Sequence, residues 1–172
     1  MCRFEGYSSD FLYKLRMWFL VPHLMWHLVT IATNGGEHMN YFYFWTYWSW
    51  TCAIISQIFS LLAAHNPEYW HVTAFAWLQV SHSLNLAVTF CFWVILTPVI
   101  IIWIRQAAGS TWTPYDYFMI FHMTVLHGTP LIMTWTNIYY TDIKLQIADW
   151  KLMAFHGLFY IFANYLGFFD HD

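Results

Sequence analysis

Five long stretches of this sequence contain no aspartate, glutamate, lysine or arginine, and this feature restricts the possible folds most. The stretches cover residues 17–36, 38–67, 69–104, 117–141 and 152–169. Each is close to or above the roughly 18 to 20 residues that a helix needs to cross about 30 Å of hydrocarbon. We therefore expect an all-α, polytopic integral membrane bundle that forms a single transmembrane domain over 1–172. About five transmembrane helices are predicted, near 17–36, 40–65, 72–104, 117–141 and 152–169.

Segments rich in proline, glycine and asparagine separate these stretches. "HNPEYW" follows the second stretch and "RQAAGSTWTP" follows the third, and both contain the residues that end or begin helices. The third stretch is longer than one crossing requires, and Pro98 lies near its end. Because proline removes a helical hydrogen bond, we expect Pro98 to kink this helix or to end its regular part.

The composition agrees with a membrane setting and indicates the class of partner. Hydrophobic residues make up 60% of the chain and charged residues 9%, whereas about a quarter of the residues in globular proteins are charged. So few basic residues provide no surface for nucleic acid. The three cysteines imply no disulfide framework. Aromatic side chains are abundant and suit membrane boundaries and subunit interfaces, so the expected partners are lipids and other membrane protein subunits.

The basic residues indicate an orientation in the membrane. An odd number of spans puts five of them on one side, with Arg105 alone on the other: Arg3, Lys14, Arg16, Lys144 and Lys151. The positive-inside tendency then places the N-terminus on the matrix or cytosolic side. The sequence also contains no Asn-x-Ser/Thr glycosylation acceptor. These features favour the mitochondrial inner membrane over the endoplasmic reticulum.

A threonine and a histidine within the apolar stretches are the first candidates for chemistry. With 1.5 Å of rise per residue, Thr46 lies about 9 Å along the second predicted helix and His127 about 15 Å along the fourth, which enters from the same side. A hydroxyl beside an imidazole is the minimum for nucleophilic catalysis. In the structural alternative, Thr46 bonds back to the carbonyl of residue 42 and His127 bonds to a neighbouring helix. Spacing leaves both interpretations open.

Three segments of the chain resemble a known family. They are "YFYFWTYWSWTCAIISQIFSLL", "LHGTPLIMTWTNIYYTD" and "DWKLMAFHGLFYIFANYLG". Their motifs are Thr46 with Trp48, His127 with Pro130, and Gly157-Leu158 and Tyr160 with Asn164-Tyr165. The pattern is similar to that of the androgen-induced membrane hydrolases, which include the rolling-stone proteins.

The resemblance implies a multi-spanning helical fold and, in active members, hydrolysis of branched fatty-acid esters. Carried over to this chain, it implies only that Thr46 is the nucleophile and His127 its partner. Apart from the resemblance, Asn85 and His82 on the third predicted helix are the candidates to orient the imidazole. The family usually has six spans, whereas this sequence predicts five.

Histidines on separate helices also raise the hypothesis of a haem-binding anchor, because two imidazoles can ligate iron from opposite faces. The candidates are His82 with His122 or His127, while His23 and His27 share one helix face and suit a metal better. Scattered histidines are more often hydrogen-bonded links between helices, so no cofactor and no metal site is predicted.

The leading prediction is therefore a structural accessory subunit of a large membrane complex, such as a mitochondrial respiratory-chain complex. This subunit has a hydrolase-like fold but no catalytic role. The alternatives are an intramembrane threonine hydrolase of fatty-acid esters and, third, the haem-binding anchor.

Overall fold

The computed structural model describes residues 9–33, 45–108, 112–141, 144 and 150–169, and every regular element in these ranges is a helix. The elements are α1 (Ser9–Thr33), α2 (Trp45–His65), α3 (Pro67–Phe90), a π-helical segment (Cys91–Leu96), α4 (Thr97–Ala108), α5 (Pro114–Tyr139) and α6 (Trp150–Phe169). Over the described residues, each predicted apolar stretch is helical except at Asn66, Tyr140 and Thr141. The predicted boundaries at 34–36 and 40–44 lie outside the described residues.

Local sequence fixes where two of the helices begin. Asn66 caps α3, its side-chain oxygen accepting a hydrogen bond from the Tyr69 amide at 3.3 Å, and Pro67 occupies the first turn. At the start of α5, Thr113 and Asp116 form a capping box in which each side chain accepts the other's backbone N–H. The turn signals in the sequence therefore correspond to real helix starts.

The expected disturbance near Pro98 is present, and it takes the form of a π-helical segment just before the proline. Cys91–Leu96 is wound as a π-helix, and the Thr97 hydroxyl donates to the Phe92 carbonyl at 2.9 Å. Proline has no N–H for the carbonyl four residues earlier, and a wider turn accommodates the mismatch. This segment also positions Phe92 at the candidate site described below.

The helix α2 lies at the centre of the packing. Because Asn66 alone separates α2 from α3, the two form a helical hairpin with the most extensive contact in the described chain, and α1 and α5 also pack on α2. Trp50 of α2 is fully buried and lies in a cluster with Leu20, Ile54, Leu61 and Leu126. The core therefore joins α1, α2 and α5.

Polar residues share the interior of the bundle with the apolar core, and many large apolar side chains lie outside. Ser49, Gln57 and Asn85 are almost fully buried, whereas Trp18 is 75% exposed and Phe155 69% exposed. Buried polar groups beneath an exposed apolar surface are compatible with hydrocarbon around the bundle. Within the described residues, two helical runs are long and apolar enough to cross a membrane, Trp45–His65 and Pro67–Ile102.

Candidate functional site

The packing of α5 against α2 brings Thr46 and His127 together. The Thr46 Oγ1 atom lies 3.1 Å from His127 Nε2, although 81 positions separate the residues in sequence. The His127 side chain is buried, and Thr46 is half-buried at the start of α2. The two residues singled out in the sequence are therefore in hydrogen-bond contact.

The second ring nitrogen of His127 determines the direction of this hydrogen bond. His127 Nδ1 lies 2.8 Å from the backbone carbonyl oxygen of Met123, one turn earlier in α5. A carbonyl can only accept, so Nδ1 carries the proton and the neutral ring presents a lone pair at Nε2. The Thr46 hydroxyl consequently donates to Nε2, the arrangement in which an imidazole can take a proton from a nucleophile.

Two further contacts hold His127 in place. The Phe92 ring stacks on the imidazole with 3.6 Å between centroids and 6° between planes. The Thr89 hydroxyl of α3 donates to the His127 carbonyl oxygen at 2.6 Å. The π-helical segment therefore packs on the face of the imidazole, and α3 holds the backbone of His127.

The residues expected to orient His127 have other partners. The Asn85 side-chain amide donates to the carbonyl oxygens of Ser49 at 2.9 Å and Ser81 at 2.8 Å. His82 Nδ1 lies 3.4 Å from the Thr134 hydroxyl. The expectation that Asn85 or His82 orients His127 is therefore wrong, because the backbone of Met123 performs this role. A histidine in a helix can reach the carbonyl of the preceding turn, and this local rule was the available signal.

The other buried or half-buried histidines of the described helices also bond to a neighbouring helix. The Trp50 and Trp26 indole N–H groups donate to His23 Nδ1 and His122 Nδ1, each at 3.1 Å. His156 Nε2 lies 3.4 Å from the Cys52 thiol. With His82 on Thr134 and His27 on Thr51, these contacts link α1, α2, α3, α5 and α6. Imidazoles are thus a general means of joining helices here, as intramembrane polar side chains often are.

A second threonine–histidine pair lies one turn further along α2 and differs from the first. The Thr51 Oγ1 atom is 3.2 Å from His27 Nε2, but the Thr51 hydroxyl donates to the Tyr47 carbonyl oxygen at 2.8 Å. Because a hydroxyl has a single proton, Thr51 accepts from His27. This pair therefore has the opposite polarity and cannot deprotonate its threonine. Both His23 and His27 are buried and bond to residues of α2.

The haem hypothesis receives no support from the imidazole positions. Both ring nitrogens of His127 are engaged, with Thr46 and with Met123, so iron ligation would break two hydrogen bonds. His82 is directed to Thr134. Among the described residues, no group of three or more histidine, cysteine, aspartate or glutamate side chains is arranged to hold a metal ion.

Arg16 forms a buried cluster that the sequence analysis missed. Its side chain is 4% exposed, and its Nε and Nη2 atoms donate to the Asn137 side-chain oxygen at 3.0 and 2.8 Å. The Asn137 amide in turn donates to the Ser60 hydroxyl at 2.8 Å. Counting charge-free stretches placed Arg16 outside the bundle, whereas α1 begins at Ser9 and carries it inside.

A cavity of about 230 Å³ lies between α2, α3 and α6, and Thr46 and His127 do not line it. Trp48, Cys52 and Ile55 contribute its α2 side, a different face of that helix from the one carrying Thr46 and Trp50. The cavity and the threonine–histidine pair are therefore separate features.

No family model, curated protein or solved structure matches this chain. The similarity to the androgen-induced hydrolases therefore stays a prediction from short motifs. Any role for Thr46 and His127 is argued from their geometry.

Proposed function

We propose that this protein is an accessory subunit of a large multi-subunit membrane complex of the mitochondrial respiratory chain. One observation carries the proposal: the Thr46–His127 contact belongs to a set of hydrogen bonds in which imidazoles of the described helices join one helix to another. Packing alone accounts for such a set. The exposed apolar side chains on α1, α3, α4, α5 and α6 supply the surface for subunits and lipid.

The proposed protein crosses the membrane five times. The two runs that are long and apolar enough to span, and the inward placement of polar groups on α1 and α5, support this arrangement. Five spans put the N-terminus on the matrix side with most basic residues and the C-terminus on the other side. Protease protection of small tags at the two ends tests the topology. Cleavage of both tags from one side contradicts it.

The subunit role is tested by purifying the tagged chain from native mitochondria in a mild detergent. We expect the 20.7 kDa chain to migrate on a native gel with a respiratory complex many times its own mass, and to bring the same proteins into the mass-spectrometric list. A chain that migrates alone in its micelle, with no stoichiometric partner, contradicts the proposal. An unrelated tagged membrane protein of similar size serves as the control.

A second candidate, an intramembrane threonine hydrolase of fatty-acid esters, is favoured by the polarity of the site. The proton on Nδ1, held by the Met123 carbonyl, leaves Nε2 free to receive the Thr46 proton as Oγ1 attacks an ester carbonyl. The alcohol would leave with that proton, and water would release the acid from the threonine ester. No third side chain is needed to set the tautomer.

A matched pair of variants tests the hydrolase. A fluorophosphonate probe should label the wild-type protein and the Thr51→Ala variant equally, because Thr51 accepts rather than donates at His27. Labelling should be absent in Thr46→Ala if Thr46 is the nucleophile. Equal labelling of all three proteins, or none in any of them, removes the hydrolase candidate.

A further inference from the structure

The cavity between α2, α3 and α6 has walls made mainly of rings and aliphatic groups. Four apolar side chains define them: Trp48, Ile55, Trp77 and Phe159. The Trp48 and Phe159 rings meet edge to face at 5.6 Å, and Trp77 meets the His156 ring in the same way at 6.0 Å. Phe159 is 48% exposed and lies at the rim, where the cavity meets the outside of the bundle.

Three polar side chains in the cavity wall already have partners within the protein. The Cys52 thiol and His156 Nε2 lie 3.4 Å apart and bond to each other. The Thr51 hydroxyl donates to the Tyr47 carbonyl and contacts His27. An apolar ligand leaves every one of these bonds intact and needs no polar partner of its own.

We infer that this cavity binds the hydrocarbon chain of a membrane lipid. Its volume of about 230 Å³ exceeds the roughly 150 Å³ of an apolar protein cavity that admits benzene. The helix α2 that forms one wall is long and apolar enough to cross a membrane, and in a membrane the medium around the cavity would consist of acyl chains. The occupant is thus a chain that enters past Phe159 and ends against Cys52 and Trp77.

The affinity of the cavity for an acyl chain comes from packing and not from transfer out of water. A chain that moves from bilayer to cavity stays in hydrocarbon, so the gain comes from dispersion contacts with the ring walls that an empty void would lack. This site is independent of the proposed subunit role. It depends only on α2 lying at membrane depth.

Photolabelling tests the inference directly, with two cysteines as internal reporters. The protein is reconstituted in phosphatidylcholine vesicles with a trace of phosphatidylcholine that carries a diazirine in the middle of one acyl chain. Cys91 is exposed on the outside of the helices, whereas Cys52 is 3% exposed and forms part of the cavity wall. After irradiation, mass spectrometry should find adducts on both cysteine-containing peptides. Labelling at Cys91 without any at Cys52 overturns the inference.

Filling the cavity provides the matched variant. Ile55→Trp should abolish labelling at Cys52 and leave Cys91 labelling unchanged. An unchanged thermal unfolding midpoint in detergent shows that the helices of the variant remain assembled. Persistent Cys52 labelling in that variant overturns the inference.

Discussion

The two ends of the contact between α2 and α5 use different chemistry for the same structural purpose. Near the start of α2, a neutral hydroxyl and imidazole meet, Thr46 with His127. About 21 Å further along the helix, at 1.5 Å per residue, Ser60 and Asn137 hold the buried guanidinium of Arg16. Both ends fasten α5 to α2, but only the second one buries a charge.

This difference determines how much stability each end of the contact loses when one partner is removed. When a neutral pair loses one member, the remaining hydroxyl or imidazole lacks a hydrogen-bond partner, and the loss of stability is small. A buried cation that loses one of its acceptors keeps its full charge with fewer hydrogen bonds, which costs more. The following substitutions test this difference, beginning with the most damaging one.

Asn137→Leu should have the largest effect. It removes the oxygen that accepts two N–H groups of Arg16, and we expect a loss of about 3 kcal/mol in stability, in the range measured when one partner of a buried ionic group is deleted. Thermal unfolding in detergent micelles provides the measurement. The double variant Arg16→Met/Asn137→Leu should recover most of the loss, and a double variant as unstable as the single one contradicts the importance of the buried charge.

His127→Leu should cost less, about 1 to 2 kcal/mol, because it removes two hydrogen bonds of the imidazole and leaves the buried end of Thr46 without its partner. His27→Leu is the control within the same helix bundle. There the Thr51 hydroxyl keeps its bond to Tyr47, so the loss should be smaller. The same unfolding assay compares the two variants, and a larger loss for His27→Leu would contradict the assigned directions of the two hydrogen bonds.

The smallest effect is expected at the start of α5, outside the membrane stretch. The Thr113 hydroxyl and backbone N–H bond to the Asp116 carboxylate at 2.6 and 2.8 Å and hold the pKa of Asp116 below its ordinary value. A lowered folded pKa means that the ionised group stabilises the protein at neutral pH. This contribution is lost as the pH falls through the folded pKa.

The melting temperature is measured from neutral pH down to below the ordinary aspartate pKa of about 3.9. The Asp116→Asn variant should melt at a slightly lower temperature than wild type at neutral pH. Its melting temperature should also vary less as the pH falls. Identical pH profiles for wild type and variant would show that the capping box is not formed.

Much of the helix pattern followed from the sequence for a simple physical reason. Hydrocarbon excludes charge, so charge-free stretches mark helices, and Asn66-Pro67 and Thr113-Pro114 mark where two of them begin. Rise per residue also placed Thr46 and His127 at similar depth. Their direct contact still required the packing of α2 on α5, which no local rule provides.

The parts that the sequence did not predict depend on long-range partners. A charge beside an apolar stretch predicts the membrane boundary at Arg16. In the structure Asn137, 121 positions away, accepts hydrogen bonds from Arg16 inside the bundle. The cavity arises from the shapes of rings on three helices, and no spacing rule describes it. The Met123 carbonyl was within reach of a local rule and was overlooked.

The central claim is that this protein is an accessory subunit whose buried hydrogen bonds are structural. The most direct test replaces the wild-type chain in its native membrane by each of two variants in turn and measures the amount of assembled complex on a native gel. If the protein is an accessory subunit joined by structural hydrogen bonds, Thr46→Val should leave the amount and activity of the complex unchanged. Asn137→Leu should deplete the complex. A wild-type chain that never enters a complex, or a Thr46→Val variant that assembles fully yet loses all function, would contradict the account.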